Sequence, residues 1–125
     1  MRTIWIQYLS PILTHYCHIL RKTNSFLAKK YRRFYSDLID ELLKAGIEPW
    51  ITLYHWDLPL ALQLEDDGWL GKSIIDHFAN YAKICFECFG DRCKNWITLN
   101  ESWVVAILGY GQGVFAPGRI SNSEP

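Results

Sequence analysis

Twice in this chain an amphipathic helical pattern runs directly into a short, almost wholly apolar strand pattern, and that order restricts the fold more than any other feature. From Tyr31, the residues Phe34, Tyr35, Leu38, Ile39, Leu42 and Leu43 recur at helical spacing, and Gly46 stands where a left-handed C-terminal cap belongs. Pro49-Trp50-Ile51-Thr52-Leu53-Tyr54 follows, a β-branched and aromatic run with proline tolerated at its start, which predicts a largely buried strand. The stretch from His55 to Gly71 is punctuated by Pro59 and Asp66-Asp67-Gly68, the composition of a long loop. A second helix then places Ile74, Ile75, Phe78, Ala82, Cys85, Phe86 and Phe89 on one face and closes at Gly90. A second buried strand, Trp96-Ile97-Thr98-Leu99, comes next, and Gly109, Gly111, Gly113 and Pro117-Gly118 predict a tail that is mostly loop. Short helix-to-strand turns and long strand-to-helix loops predict an α/β fold of parallel strands, either a barrel or an open doubly wound sheet. Residues 1–30 show no sustained period and receive no assignment.

Both architectures gather function at the C-terminal ends of the strands, and both strands end in chemistry. The first delivers Tyr54-His55-Trp56-Asp57 and the second Asn100-Glu101. Histidine and asparagine exchange hydrogen bonds with hydroxyls, an indole face stacks on the apolar side of a sugar, and a carboxylic acid can protonate a leaving glycosidic oxygen. Each part also has a structural reading: the histidine as a satisfied strand-end residue, the Asn-Glu pair as the cap of a following helix.

Composition excludes several alternatives. Thirteen basic and thirteen acidic residues give a formal charge of zero, so no summed field draws the chain to nucleic acid or to an anionic membrane. The basic cluster Lys29, Lys30, Arg32 and Arg33 reads as a solvated helix entrance. No stretch approaches the roughly 18 apolar residues of a membrane span. Pro11, Thr14, His15 and His18 interrupt the first twenty residues and no small-x-small cleavage pattern follows, so no secretory signal is expected and the cytoplasm is the default location. Cys17, Cys85, Cys88 and Cys93 are expected as thiols; Cys85-x-x-Cys88 lies on an apolar helical stripe without a second Cys/His pair, which predicts core packing and no metal site.

Four motifs carry a resemblance: Ile51-Thr52-Leu53-Tyr54-His55-Trp56-Asp57-Leu58-Pro59, Gly68-Trp69-Leu70, Phe89-Gly90-Asp91-Arg92 and Trp96-Ile97-Thr98-Leu99-Asn100-Glu101. Together they resemble glycoside hydrolase family 1, the β-glucosidases, from about Tyr31 to the C-terminus. Gly109-Tyr110-Gly111 and Ala116-Pro117-Gly118-Arg119 extend the likeness to the loop after the acid/base helix of plant-type members. The resemblance implies a partial (β/α)8 barrel over 31–125, in which the two strands are the third and fourth. It also implies that Glu101 is the general acid and then the general base, that His55 and Asn100 bind sugar hydroxyls, and that Trp56 shapes that pocket. The implied partner is a small-molecule β-glycoside, with no metal or cofactor; oligomeric state stays open.

Two departures matter. Ser102 stands where the family usually has proline, a tolerable change because proline at a first helical turn contributes only rigidity. More seriously, these 125 residues contain neither the family's sugar-binding glutamine strand nor the Thr-Glu-Asn-Gly strand that bears the nucleophile. Retaining hydrolysis needs two carboxyl groups roughly 5 to 5.5 Å apart, and Asp57 is structural in the family's motif. The expectation is therefore a β-glucosidase fragment holding the acid/base without the nucleophile. A closed barrel takes roughly 250 residues, so such a piece should leave apolar surface uncovered and be poorly soluble alone. The alternative is a truncated, non-catalytic sugar-binding or interaction protein. An open nucleotide-binding domain is disfavoured because no Gly-rich phosphate loop follows either strand.

Overall fold

The computed structural model describes residues 2–6 and 26–121. One sheet of three parallel strands has the order β1 (Arg2–Ile6), β2 (Ile47–Tyr54), β3 (Asn95–Leu99). Its register pairs Ile4 with Pro49, Trp5 with Trp50, Trp50 with Asn95 and Tyr54 with Leu99, so β2 and β3 end side by side. The connections are helical: α1 (Phe26–Lys44) between the first two strands and α3 (Ile74–Phe89) between the last two. The loop after β2 holds the short helix α2 (Leu60–Glu65) and a 3-10 turn, Gly68–Leu70.

The absence of an assignment for residues 1–30 is corrected at both ends. Five residues are too few to display a period, and β1 is defined by its ladder to β2, a contact some 45 positions away. At the other end α1 begins at Phe26, ahead of Tyr31, because no breaker separates the basic cluster from the periodic stretch. Lys29, Lys30 and Arg33 are exposed on its first turns, and Arg33 lies 3.6 Å from Asp37 one turn on. Cys17 and the interrupted apolar stretch around it fall outside the described residues.

Alternation along β2 sorts its side chains between two faces. Ile51 and Leu53 meet Tyr35 and Ile39 of α1, Tyr81, Cys85 and Phe89 of α3, and Cys93, forming the core between sheet and helices. Ile39, Ile51 and Cys85 are wholly buried. Each of these two isoleucines stabilises by about 1.5–3 kcal/mol, more than the ~1 kcal/mol net of a typical hydrogen bond, so packing holds the layer together. The predicted face of α3 needs adjusting: Ile75 and Phe86 are exposed and Tyr81 is buried in the core instead. The Tyr81 hydroxyl donates to the Leu53 carbonyl at 2.9 Å, which satisfies a phenol that would otherwise be costly to bury. Cys85, Cys88 and Cys93 form no disulfide; Cys85 packs in the core and Cys88 against it, as expected, and Cys93 joins the core as well.

Gly46 adopts the expected left-handed conformation, φ 70°, ending the helix so that β2 starts at once. The second strand is less buried than predicted. β3 has β2 on one side and no strand on the other among the described residues, and Thr98 and Leu99 are exposed. Trp96 holds it to α3 through an edge-to-face contact with Phe86, ring centroids 4.8 Å apart.

The tail is loop from Gln112 onward, as expected, but the helix before it runs on through Gly109 to Gly111. Residues Ser102–Val104 form a helical turn, α4, which widens into a π-helix over Val105–Gly111. Residues 115–121 then fold back along it: Phe115 N–H donates to the Leu108 carbonyl, Arg119 N–H to Gly109 and Ser121 N–H to Gly111, at 2.9 to 3.0 Å. A side chain at Gly109 would begin 2.7 Å from the Ala116 carbonyl oxygen, so this glycine permits close approach rather than looseness.

Arg92, of the Phe-Gly-Asp-Arg motif, fastens the two long helices at their ends. Its guanidinium donates to the Asp40 carboxylate at 2.6 Å, to the Ser36 carbonyl at 3.3 Å and to the Cys88 carbonyl at 3.2 Å. Arg92→Met should lower the urea unfolding free energy by about 1–3 kcal/mol, since the two carbonyls lose their donor while the side-chain volume is kept. An unchanged midpoint would show that water replaces these bonds without loss.

Candidate active site

The ends of β2 and β3 come together through one residue, Asn100. Its backbone N–H continues the ladder by donating to the Tyr54 carbonyl at 2.9 Å. Its side-chain amide lies 3.3 Å from His55 Nε2. Its carbonyl accepts from the Trp56 indole at 3.0 Å. Three consecutive residues of one strand end thus hold three groups of a single residue on the next.

Two residues here adopt backbone conformations unusual for side chains with a Cβ: Trp56 at φ 70° and Glu101 at φ 44°. Such residues cost on the order of 1–3 kcal/mol and concentrate at functional sites. Glu101 occupies the N-cap position of α4, yet its side chain makes no capping bond, so the cap reading of the Asn-Glu pair does not hold. The carboxylate is exposed and has no hydrogen-bond partner among the described residues, which leaves it available to move protons. Asp57 behaves differently: one oxygen accepts from the backbone N–H of His55, two residues before it, at 3.2 Å, a contact that shapes the strand exit.

Two mainly apolar clefts open beside Tyr54, and His55, Asn100 and Glu101 line neither of them. Trp56 lies between His55, with centroids 5.5 Å apart, and Phe115, 5.8 Å away. One cleft of about 410 Å3 is lined by Tyr54, Trp56, Val104, Val105, Phe115 and neighbours. A second, of about 360 Å3, is bounded by Tyr54, Trp69, Leu99, Ser102, Val105 and Tyr110 among others. Burial pushes the Tyr54 hydroxyl up to about 12, so it stays neutral and can only share hydrogen bonds.

Sequence reasoning singled out His55, Trp56, Asn100 and Glu101, and all four lie at the adjoining ends of β2 and β3. It missed the fastening between the two loops. The Tyr110 hydroxyl donates to Gln63 Oε1 at 2.7 Å and accepts from the Trp69 backbone N–H at 3.1 Å, tying the π-helix to the loop after β2. Asp67 and Arg119 make a bidentate ion pair across the same gap. A tyrosine between two glycines was the available sign, because glycines that admit close approach leave the residue between them to make the contact.

The site geometry falls within one matched stretch: the model of glycosyl hydrolase family 1 covers residues 16–125. The chain belongs to glycosyl hydrolase family 1. Among its family 1 relatives, β-glucosidase 1B of Phanerodontia chrysosporium is 60% identical over 91 residues, 72% of this chain and 17% of that protein. β-Glucosidase A of Thermotoga maritima is 61% identical over 85 residues, 68% of this chain and 19% of its own length. The chain thus spans about a fifth of the length of the curated relatives it matches. A rice β-glucosidase superposes with a TM-score of 0.79 at 47% identity, covering 90% of this chain and 23% of that one. The Thermotoga maritima β-glucosidase in complex with glucoimidazole gives 0.80 at 47%, covering 96% and 26%. The parallel sheet with helical crossovers is therefore a section of the family 1 β-glucosidase architecture.

Proposed function

We infer that residues 31–125 form the third and fourth strands, with their helices and loops, of a (β/α)8 barrel that hydrolyses small β-glycosides with retention. Glu101 protonates the leaving oxygen and later takes a proton from water, while His55 and Asn100 bind hydroxyls of the sugar. The nucleophile comes from outside these 125 residues. The observation that carries the reading is the left-handed Glu101 at the end of β3, its carboxylate exposed and not capping, beside an Asn100 held by His55. Support also comes from the β-glucosidases among its relatives.

The test is the Glu101→Ala variant of the whole barrel protein, nucleophile strand included, with a dinitrophenyl β-glucoside and azide. The phenolate leaves without protonation as the nucleophile forms the glycosyl-enzyme. Azide then attacks the anomeric carbon and displaces the enzyme carboxylate, and it needs no general base. Accumulation of β-glucosyl azide, with a faster rate, is the expected result. Formation of the α-azide, or no response to azide in a variant that still binds substrate, sinks the acid/base assignment. Sugar binding by a wild type without turnover would favour the non-catalytic alternative.

A further inference from the structure

An indole has one hydrogen-bond donor, and at Trp56 it is already engaged: Nε1–H donates to the Asn100 carbonyl at 3.0 Å. That carbonyl belongs to the peptide unit whose nitrogen is the nitrogen of Glu101. On the far side of Asn100, the N–H is held by Tyr54. Glu101 needs this restraint, because a left-handed glutamate lies on the order of 1–3 kcal/mol above its right-handed alternative. Rotation of the Asn100–Glu101 peptide toward that alternative would swing the carboxylate away from its present direction. Trp56 is itself fixed, by its own left-handed backbone and by ring contacts with His55 and Phe115.

The geometry points to Trp56 as a positioning residue for the acid/base, acting through the Asn100 carbonyl rather than by offering its N–H to the sugar. This rests on the reading of Glu101 as the acid/base. A positioning residue affects the step that needs the carboxylate to be well aimed. A sugar contact affects all substrates of the same sugar alike.

Trp56→Phe in the whole barrel protein, nucleophile strand included, keeps an aromatic ring against His55 and Phe115 and removes the donor. On cellobiose, whose leaving group must be protonated, kcat/KM should fall about tenfold. On a dinitrophenyl β-glucoside, whose leaving group needs no proton, kcat/KM should stay within about twofold. An equal fall on both substrates would mean that the indole binds sugar and would overturn the proposal, as would no change on either. Glu101→Gln is the control: if it leaves the ratio of the two substrates unchanged, the acid/base reading fails whatever Trp56 does. A second readout uses the unaltered protein. The Trp56 indole proton should exchange with solvent at least about tenfold more slowly than that of Trp103, whose side chain is exposed and makes no such bond to the described residues. Equal exchange rates would remove the hydrogen bond on which the proposal stands.

Discussion

Replacing Glu101 by glutamine should slow cleavage of cellobiose by about 10²- to 10⁴-fold in kcat/KM, the range expected for loss of a positioned proton donor. Glutamine keeps the volume of the side chain and has no acidic proton. The same change should leave kcat/KM for a dinitrophenyl glucoside nearly untouched, since that ratio reports glycosylation and the phenolate needs no proton. Its kcat should fall, because release of the glycosyl-enzyme requires a general base that an amide cannot be. The exposed carboxylate makes this a clean substitution: no capping bond and no ion pair among the described residues is lost with it. Steady-state kinetics on the two substrates decides the matter. Equal losses on both would point to a residue that merely binds sugar.

The second large effect is structural and lies in the loop that faces the site. A Cβ at Gly71 would overlap the carbonyl oxygen of Asp66, a backbone atom that cannot swing aside. Gly71 has φ −76°, so the demand here is for space and not for a left-handed turn. Gly71→Ala should therefore destabilise the protein by about 3 kcal/mol, the upper part of the usual range for overpacking. The damage should spread along the loop. Asp66 also holds His77 of α3 at 3.1 Å, and the Gly71 N–H closes the 3-10 turn onto Gly68. Urea unfolding together with limited proteolysis between residues 57 and 72 measures both parts. A variant with wild-type stability and an uncut loop would show that the segment has room the geometry denies.

Local signals were legible where one stretch of chain decided its own structure. The apolar run of β2, the left-handed Gly46 and the inward row Tyr35, Ile39, Cys85 and Phe89 all follow from spacing and residue type. What could not be read depended on neighbours remote in sequence. β1 exists through pairing with β2, and β3 is exposed at its end because only one strand among the described residues adjoins it. Tyr81 reached the core because the Leu53 carbonyl was there to take its hydroxyl, a partner that periodicity does not report. The glycines of the tail suggested a loop, yet Gly109 makes room for the returning backbone. In the site, chemistry-bearing residues could be picked out by type and by strand-end position. The division of labour among them could not, since one hydrogen bond separates an indole facing a ligand from an indole holding a peptide.

The widened helix after β3 sets a rule of counting for this part of the chain. Successive residues of an α-helix are turned by about 100°, and a π turn takes in one residue more than an α turn. Removing a single residue between Val105 and Gly109 would let the segment relax to ordinary winding with its backbone bonds intact. Tyr110 would keep the same backbone partner one turn back, and with it its bearing on Gln63 and the Trp69 amide. Substitutions at the outward positions Ala106 and Ile107 would leave that arrangement alone. Lineages carrying this site should thus drift in the composition of the segment and tolerate the loss of this one residue from its length.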